Sequence, residues 1–314
     1  MKFAIVGAGA MGSLFGGRLA DSGVKTVLVD VNREHIDAIR SAGLMLDDGS
    51  GARRIPIEAT SDPDSVGTVD IVIIFCKHLQ TRDAIRAGLS MIGPETYVWT
   101  LQNGIGNAEI IGEFVPTARI AKGLTSVTAI LTGPGCVTSN FRGESETFAW
   151  PVDGKDHPKL AAAMQVLTRA GLPAYLAADI DYRIWRKLVV NASLTVLSAA
   201  VNLGIGPVGE SDVGQRLLRA IVGEVVAVAQ AKGIALQLED AIGYMEELRH
   251  KAFAHVGSTT VDLQLGRRTE IDALNGAVAR EGRRLGVPTP VNEVLAEFVR
   301  LIEATRAHRL PQPI

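Results

Sequence analysis

The sequence predicts a two-domain α/β protein, in which a doubly wound, mostly parallel sheet is followed by an all-helical domain. Three observations support this fold class. An apolar strand at the N-terminus runs directly into a glycine-rich turn, strand and helix patterns alternate through the first half, and the pattern is entirely helical from about Asp179. A chain of 314 residues has about the length of two domains, which we place at residues 1–178 and 179–314.

The glycine-rich turn is the most specific local motif of the chain. It consists of Gly7, Ala8, Gly9, Ala10, Met11 and Gly12. A predicted strand, Phe3–Val6, precedes it and a predicted helix, Ser13–Ser22, follows it. This order is the Rossmann-like arrangement for dinucleotides, because the turn lets the backbone approach a pyrophosphate at the positive end of the helix. We predict that these six residues bind a dinucleotide cofactor.

An acidic residue ends the second predicted strand. Asp30 follows the β-branched and apolar run Thr26–Val29, about 20 residues beyond the glycine motif. A carboxylate at this place bonds the adenine ribose hydroxyls, whereas an arginine would favour a 2′-phosphate. The alternative interpretation is that Asp30 caps the helix that begins near Arg33.

The other elements of the first half follow the same alternation. Further strands are predicted at Ile71–Cys76, Tyr97–Leu101 and Ala118–Lys122, and further helices at Glu34–Ala42, Gln80–Met91 and Asn107–Phe114. From Thr125 to Val152, turn signals at Gly133-Pro134-Gly135 and Arg142-Gly143 separate short β-like pieces. We interpret these pieces as antiparallel strands added at the edge of the sheet.

The second half contains helical patterns only. Helices are predicted at Arg183–Ala200, Gln215–Lys232, Glu239–Lys251, Glu270–Leu285 and Val291–Thr305. The stretch Leu188–Gly209 has no charged residue and is long enough to span a bilayer, but its polar side chains and Pro207 would be costly in lipid. We therefore expect a helix buried inside the protein, with its polar residues facing a site.

Composition excludes several classes of partner. The net charge is −2 and there is no basic block, which argues against nucleic acid and anionic membranes. Two cysteines, Cys76 and Cys136, imply no disulfide framework and fit a reducing, cytoplasmic compartment. We predict no metal site and no targeting segment. Apolar helices such as Ala220–Ala231 could form core or a homodimer surface.

Several polar residues fall where a ligand cleft is expected, beyond the strand ends and along the first helix of the second domain. Lys77 follows the third strand and Asn103 the fourth, while Lys187 and Asn191 are four residues apart and share one helical face. A lysine that enters an apolar cleft has a lowered pKa and can exchange protons near neutral pH. Each residue also has an alternative interpretation. Lys187 would snorkel at the start of its helix, and Lys77 would be a solvated loop lysine. Asn103-Gly104 would be an ordinary turn, and Glu270 a first-turn acid that the helix dipole stabilises.

In combination, these motifs resemble the ketopantoate reductase (2-dehydropantoate 2-reductase) family over almost the whole chain. The resemblance rests on residues 7–12, 76–77, 102–106, 187–191, 258 with 262, 266–276 and 286–290. It implies an NAD(P)H-dependent oxidoreductase that reduces 2-dehydropantoate to pantoate in pantothenate biosynthesis.

The same resemblance implies roles for individual residues. Lys187 would be the general acid, and Glu270 would lie close to the cofactor and help to position the substrate. Asn103 would hold the substrate and contact the cofactor, while Lys77 would lie near the nicotinamide. Asn191 and Ser258 would bind the carboxylate and hydroxyl groups of the substrate.

The chain departs from the family pattern at two positions. Thr195 stands where a second substrate-binding asparagine is typical, which puts recognition of the pantoate hydroxyl in question. Asp30 stands near the place where a basic residue is typical, so it favours NADH where the family default is NADPH. The alternative is that Arg33, three residues further on, reaches a 2′-phosphate against the opposing charge of Asp30. The alternatives to a pantoate-forming enzyme are a reductase of another 2-oxo acid and an NAD(P)-sensing regulator without turnover.

Overall fold

The computed structural model describes residues 1–139 and 145–308, and the predicted turn at Arg142-Gly143 lies outside them. The chain divides into two compact units. The first contains residues 1–102 and 107–180, and the second contains Asn103–Gly106 together with the residues from Asp181 onward. The sequence pattern places the short segment Asn103–Gly106 in the first domain, whereas in the structure it groups with the helical unit.

The first unit is built from strands and helices in alternation. Its strands are β1 (Lys2–Val6), β2 (Lys25–Val29), β3 (Leu44–Asp47), β4 (Arg53–Ile55), β5 (Glu58–Thr60), β6 (Ile71–Ile74), β7 (Tyr97–Thr100), β8 (Ile120–Thr125), β9 (Ile130–Gly133), β10 (Cys136–Thr138), β11 (Thr147–Pro151) and β12 (Ala174–Leu176). Its α-helices are α1 (Ala10–Asp21), α2 (Arg33–Ala42), α3 (Thr81–Ala87), α4 (Asn107–Gly112) and α5 (Pro158–Arg169). Short 3₁₀ turns lie at Pro63–Ser65, His78–Gln80, Leu89–Met91 and Thr117–Arg119.

The main sheet has eight strands in the order β12-β11-β8-β7-β6-β1-β2-β5. Every neighbouring pair is parallel except β11 and β8, which are antiparallel. The chain passes from β1 to β2 on one side and later to β6 on the other, so the strand order reverses at β1. Ligands of such sheets bind beyond the carboxyl end of the strand at this reversal. The predicted doubly wound, mostly parallel sheet is confirmed.

A second sheet accounts for one incorrect prediction. Its four strands have the order β4-β3-β10-β9, with β10 antiparallel to β9 and parallel to β3. Of the antiparallel strands expected at the edge of the main sheet, β11 is the only one in the described part of this stretch that pairs there, against β8. The β9–β10 hairpin pairs instead with β3, a strand of four residues that is too short to give a clear alternation pattern.

The main sheet is buried on both faces. In β1, Phe3 and Ile5 belong to one hydrophobic cluster, while Ala4 and Val6 belong to another. Successive side chains of a strand point to opposite faces, so a strand covered on both sides reads as a continuous apolar run. The glycine motif therefore begins at the end of a rigid, central strand.

The second unit is helical. Its helices are α6 (Ile180–Val190, of which Ile180 belongs to the first unit), α7 (Val196–Ala200), α8 (Asp212–Ala231), α9 (Leu238–Lys251), α10 (Ser258–Gln264), α11 (Asn275–Leu285) and α12 (Pro290–Ala304), with 3₁₀ turns at Pro207–Glu210 and Arg306–His308. A π-helical turn, Asn191–Thr195, joins α6 to α7. Helix α8 buries Ile221, Val222 and Val225 in the core of this unit. In the described parts of the chain, no helix is long and apolar enough to cross a membrane.

Two helix predictions need correction. The uncharged stretch from Leu188 is helical and largely buried only as far as Ala200, because Asn202 has a left-handed backbone (φ 53°) and Val201 is exposed. The helix expected from Glu270 begins at Asn275, so the interpretation of Glu270 as a first-turn acid is wrong.

Candidate active site

The glycine motif forms a tight turn against the neighbouring strand. Gly7 has φ +97°, and a methyl group on it would lie 2.3 Å from the Cys76 backbone nitrogen. A methyl group on Gly12 would lie 1.9 Å from the Gly7 carbonyl oxygen. Around Gly9, in contrast, no described atom beyond its immediate chain neighbours lies within 4 Å of the corresponding position. Gly7 and Gly12 are therefore required by packing, and Gly9 leaves open space beside the start of α1.

The start of α1 suits an anion. Gly9 is its N-cap, and among the described residues no side chain caps the helix and no acidic residue occupies its first turn. The first backbone N–H groups of a helix carry a partial positive charge and attract phosphate. The open space at Gly9 and these N–H groups fit the pyrophosphate of a dinucleotide.

A buried chain of hydrogen bonds, which no sequence pattern indicates, supports the glycine turn. The Ser13 hydroxyl donates to the Ala8 carbonyl oxygen at 2.7 Å, and Ser13 Oγ lies 3.0 Å from His35 Nε2. Because the Gly135 backbone N–H donates to His35 Nδ1 at 3.1 Å, Nε2 carries the ring proton and donates to Ser13. Burial lowers the pKa of His35, although the charge of Asp30 opposes this. A neutral imidazole therefore fixes the turn.

Asp30 lies half-buried just beyond β2. Its backbone N–H donates to the Thr60 carbonyl oxygen at 3.2 Å, and its carboxylate accepts a hydrogen bond from the Asn32 backbone N–H at 2.8 Å. The N-cap of α2 is Asn32, whose side chain accepts from the His35 backbone N–H. The alternative interpretation of Asp30 as the helix cap is therefore wrong.

A buried glutamine, Gln102, connects the loops that follow β6 and β7. The sequence pattern assigns it no role of its own. Gln102 Nε2 donates to the Cys76 carbonyl oxygen at 2.6 Å and to Thr81 Oγ1 at 2.8 Å. Lys77, half-buried, follows Cys76 directly and precedes the turn His78–Gln80. Gln102 thus anchors the backbone from which the Lys77 side chain extends.

In the second unit, the structure brings three predicted residues together. Asn103 Nδ2 donates to Glu270 Oε2 at 3.2 Å. Burial lowers the pKa of Lys187 to about 8, while the negative charge of Glu270 acts in the opposite direction. Part of the Lys187 side chain remains accessible, so the lowered pKa reflects the desolvated surroundings of its ammonium group. The cluster combines an amide, a carboxylate and an ammonium group that can release its proton near neutral pH.

Backbone contacts hold the segment that carries Glu270. The Ile105 N–H donates to the Ala273 carbonyl oxygen at 3.1 Å, which joins the Asn103 loop to this segment. The N–H and the hydroxyl of Thr269 both donate to Glu303 Oε1 at 2.7 Å. These bonds fix Glu270 in a turn before α11.

The remaining candidates lie along the π turn and at the start of α10. Asn191 is half-buried and opens the turn, and Thr195 closes it. The Thr195 hydroxyl donates to the Val190 carbonyl oxygen at 3.2 Å. A methyl group on Gly257 would lie 2.1 Å from Thr195 Cγ2, so the threonine methyl packs directly against the Gly257 backbone. Ser258 follows as an exposed residue at the start of α10.

The candidates are thus distributed over both units. The glycine motif, Asp30 and Lys77 belong to the first, and Asn103, Lys187, Asn191, Thr195, Ser258 and Glu270 belong to the second. Within residues 1–139 and 145–308, no group of three histidine, cysteine or acidic side chains could hold a metal ion.

Comparison with known proteins identifies the family. Residues 3–150 match the family described as ketopantoate reductase PanE/ApbA, and residues 179–303 match its C-terminal counterpart. The 2-dehydropantoate 2-reductase of Streptococcus pyogenes serotype M18 is 31% identical over 301 residues, which are 96% of this chain and 97% of that protein. The enzyme of the same name from Halobacterium salinarum is 31% identical over 305 residues, 96% and 99% of the two chains.

Solved structures agree with the sequence relatives. A PanE/ApbA family ketopantoate reductase from Ralstonia eutropha JMP134 is 32% identical with a TM-score of 0.90, covering 98% of this chain and 100% of that chain. The ternary structure of D-mandelate dehydrogenase with NADH and anilino(oxo)acetate is also 32% identical with a TM-score of 0.90, covering 97% and 99%. The resemblance drawn from the motifs is confirmed: the chain belongs to the ketopantoate reductase family of NAD(P)-dependent oxidoreductases that act on CH–OH groups.

Proposed function

We propose that the protein reduces a small 2-oxo acid to the 2-hydroxy acid, with Lys187 as the general acid. The observation that carries this proposal is the buried surrounding of the Lys187 ammonium, which lowers its pKa to about 8 beside the Asn103–Glu270 pair. A bound nicotinamide cofactor would supply the hydride for the keto carbon. As the carbonyl is reduced, its oxygen gains negative charge, which the ammonium of Lys187 stabilises. Lys187 Nζ then gives its proton to that oxygen.

The neighbouring polar groups would hold the substrate. Side-chain amides and hydroxyls donate well to a carboxylate, which suits Asn103, Asn191 and Ser258 to the acid group and hydroxyls of the substrate. Glu270 accepts a hydrogen bond from Asn103 Nδ2 and raises the pKa of Lys187. We therefore assign Glu270 two tasks, orienting the Asn103 amide and keeping Lys187 protonated.

The first unit would bind the cofactor, with a preference for NADH over NADPH. The six residues of the glycine motif would hold the pyrophosphate, and Lys77 would lie on the nicotinamide side, as the family resemblance implies. The half-buried Asp30 carboxylate, fixed by the Asn32 N–H, would accept hydrogen bonds from the adenine ribose hydroxyls. Against a 2′-phosphate, it would place like charges together in a partly enclosed site, which costs several kcal/mol.

The first substrate that we propose is 2-dehydropantoate, after which the curated relatives are named. A second candidate is a 2-oxo acid that lacks the pantoate hydroxyl and carries an aromatic side chain. Two observations favour it: the Thr195 hydroxyl already donates to Val190, and D-mandelate dehydrogenase is similar over nearly the whole chain. Whichever acid is reduced, we further propose a reducing cytoplasmic compartment and a homodimer. The compartment is supported by Cys76 and Cys136, which are not joined by a disulfide.

A substrate and cofactor panel tests the proposal. The purified protein is mixed with NADH or NADPH and with 2-dehydropantoate, 2-oxoisovalerate or phenylglyoxylate, and cofactor oxidation is followed by absorbance. Turnover with at least one 2-oxo acid is expected, and a failure of all of them in folded protein would contradict the proposed activity. A site that hydrogen-bonds the pantoate hydroxyl would turn over 2-oxo acids that lack this hydroxyl slower by orders of magnitude. If phenylglyoxylate is instead reduced at a rate comparable to that of 2-dehydropantoate, the second candidate is supported.

A further inference from the structure

The helix that carries Lys187 is interrupted where the candidate substrate residues lie. Residues Ile180–Val190 and Val196–Ala200 are α-helical, but Asn191–Thr195 between them form a π turn, closed by i→i+5 hydrogen bonds. Such turns are rare, and they occur frequently at functional sites. Both Asn191 and Thr195 belong to this turn.

The π turn changes which side chains share a face. In an uninterrupted α-helix, Thr195 would be rotated by about 80° from Lys187, because eight residues at about 100° each exceed two full turns by that angle. The wider turn needs an additional residue to close, so it rotates Thr195 back toward the face of Lys187. Loss of the π turn would therefore move Thr195 away from that face.

Side chains supply hydrogen bonds to the carbonyl groups in and beside this turn. A wide turn displaces carbonyls from the regular helical ladder, and buried carbonyls need donors from elsewhere. Ser193 Oγ donates to the Val189 oxygen at 2.6 Å and Thr195 Oγ1 to the Val190 oxygen at 3.2 Å. The Ala192 oxygen accepts from Asn275 Nδ2 at 2.9 Å. Unlike the first two donors, Asn275 belongs to a different helix, α11.

Asn275 is held in place from behind. It is fully buried, and its Nδ2 also donates to Asn292 Oδ1 at 2.9 Å. Asn292 Nδ2 in turn donates to Glu224 Oε2 at 2.7 Å, while the Glu224 carboxylate accepts from the Val291 and Asn292 N–H groups. Both N–H groups of the Asn275 amide are thus directed at acceptors, which fixes its orientation. The chain links α8 and α12 to the π turn.

From this geometry we infer that Asn275 is a positioning residue, which holds the π turn and thereby keeps Thr195 on the face that Lys187 and Asn191 share. The inference rests on the proposed function, since it takes the face of Lys187 and Asn191 to be the one that meets the substrate. Asn275 is itself fully buried and acts through the Ala192 carbonyl.

The test uses Asn275→Asp, which keeps the shape of the side chain but removes both N–H donors and leaves at most one O–H donor when the carboxyl group is protonated. Val278→Ala is the control, because Val278 is equally buried in α11 and its truncation lowers stability through a cavity. Should Asn275→Asp not fold, Asn275→Ser takes its place. Three readouts are compared at a temperature where all variants are folded: KM for the 2-oxo acid and for the cofactor, kcat, and amide hydrogen exchange of the peptide that covers residues 188–197.

We expect Asn275→Asp to lower kcat/KM for the 2-oxo acid by about tenfold to a hundredfold, the scale of a small misplacement, with KM for the cofactor nearly unchanged. Its π-turn peptide should exchange faster, while Val278→Ala should leave both the kinetics and this peptide near wild type. An Asn275→Asp variant that matches Val278→Ala in its kinetics or in the exchange of this peptide overturns the inference. A wild type that reduces no 2-oxo acid overturns the proposed function instead, and the exchange measurement still decides whether Asn275 holds the turn.

Discussion

Raising the pH above about 8 should progressively stop the reduction of the 2-oxo acid, because Lys187 must carry a proton to act as the acid. Burial lowers the pKa of this lysine from 10.5 to about 8. Above that value the protonated fraction falls by about tenfold per pH unit, and kcat/KM for reduction should fall with it. Oxidation of the 2-hydroxy acid needs the neutral amine, so its kcat/KM should rise up to about pH 8 and then level off.

Glu270→Gln tests whether the pH at which kcat/KM begins to decline, the limb of the pH profile, depends on the charge of Glu270. The negative charge of Glu270 raises the pKa of Lys187, so its removal should move the limb of the pH profile to lower pH in both directions of the reaction. Asp240→Asn is the matched control, since it also removes one negative charge but lies exposed on α9.

The assay is kcat/KM for the 2-oxo acid with saturating cofactor, measured between about pH 6 and 10 at constant ionic strength. We expect wild type and Asp240→Asn to share one profile and Glu270→Gln to be displaced. A wild-type kcat/KM that stays nearly constant up to about pH 10, or a decline that Glu270→Gln leaves at the same pH, would refute the assignment of Lys187.

Three further outcomes follow from the first unit. Gly9→Ala should fold normally but weaken cofactor binding, whereas Gly7→Ala should lower the thermal midpoint strongly, because its methyl group would meet the Cys76 backbone at 2.3 Å; equal stability of the two variants would contradict the packing argument. Because burial lowers the pKa of His35, the unfolded chain binds a proton more readily than the folded one as the pH falls below about 6.5. The free energy of unfolding should therefore decrease below that pH, and it should decrease less in His35→Gln; the same pH dependence of the denaturant midpoint in both proteins would contradict this. Asp30→Ala should reduce the preference for NADH over NADPH, and an unmoved ratio of specificity constants would remove Asp30 from cofactor selection.

The long, regular elements of the fold are predictable from local patterns. The central strands β1 and β6 read as apolar runs because both faces of the sheet are covered, and α8 has a clear amphipathic repeat. Strands β4 and β5, with three residues each, carry too few side chains for a recognisable alternation. Their pairing depends on distant partners instead of on local sequence.

The candidate site divides in the same way. The glycine motif and Asp30 follow from spacing along one strand–turn–helix unit, and the roles of Lys187 and Glu270 came from the family resemblance. The bond between His35 and Gly135 joins residues 100 positions apart, and Asn275 meets Ala192 across 83 positions. No local pattern signals either contact, and the π turn has no sequence signature of its own.

The measurement that tests the central claim most directly is the single-turnover rate of Lys187→Ala with bound cofactor and a saturating 2-oxo acid. Cofactor affinity is measured on the same samples by fluorescence titration. If Lys187 is the general acid, the rate should fall by roughly 10² to 10⁴ while cofactor affinity stays close to wild type. A folded Lys187→Ala variant with a near-normal rate would contradict the account.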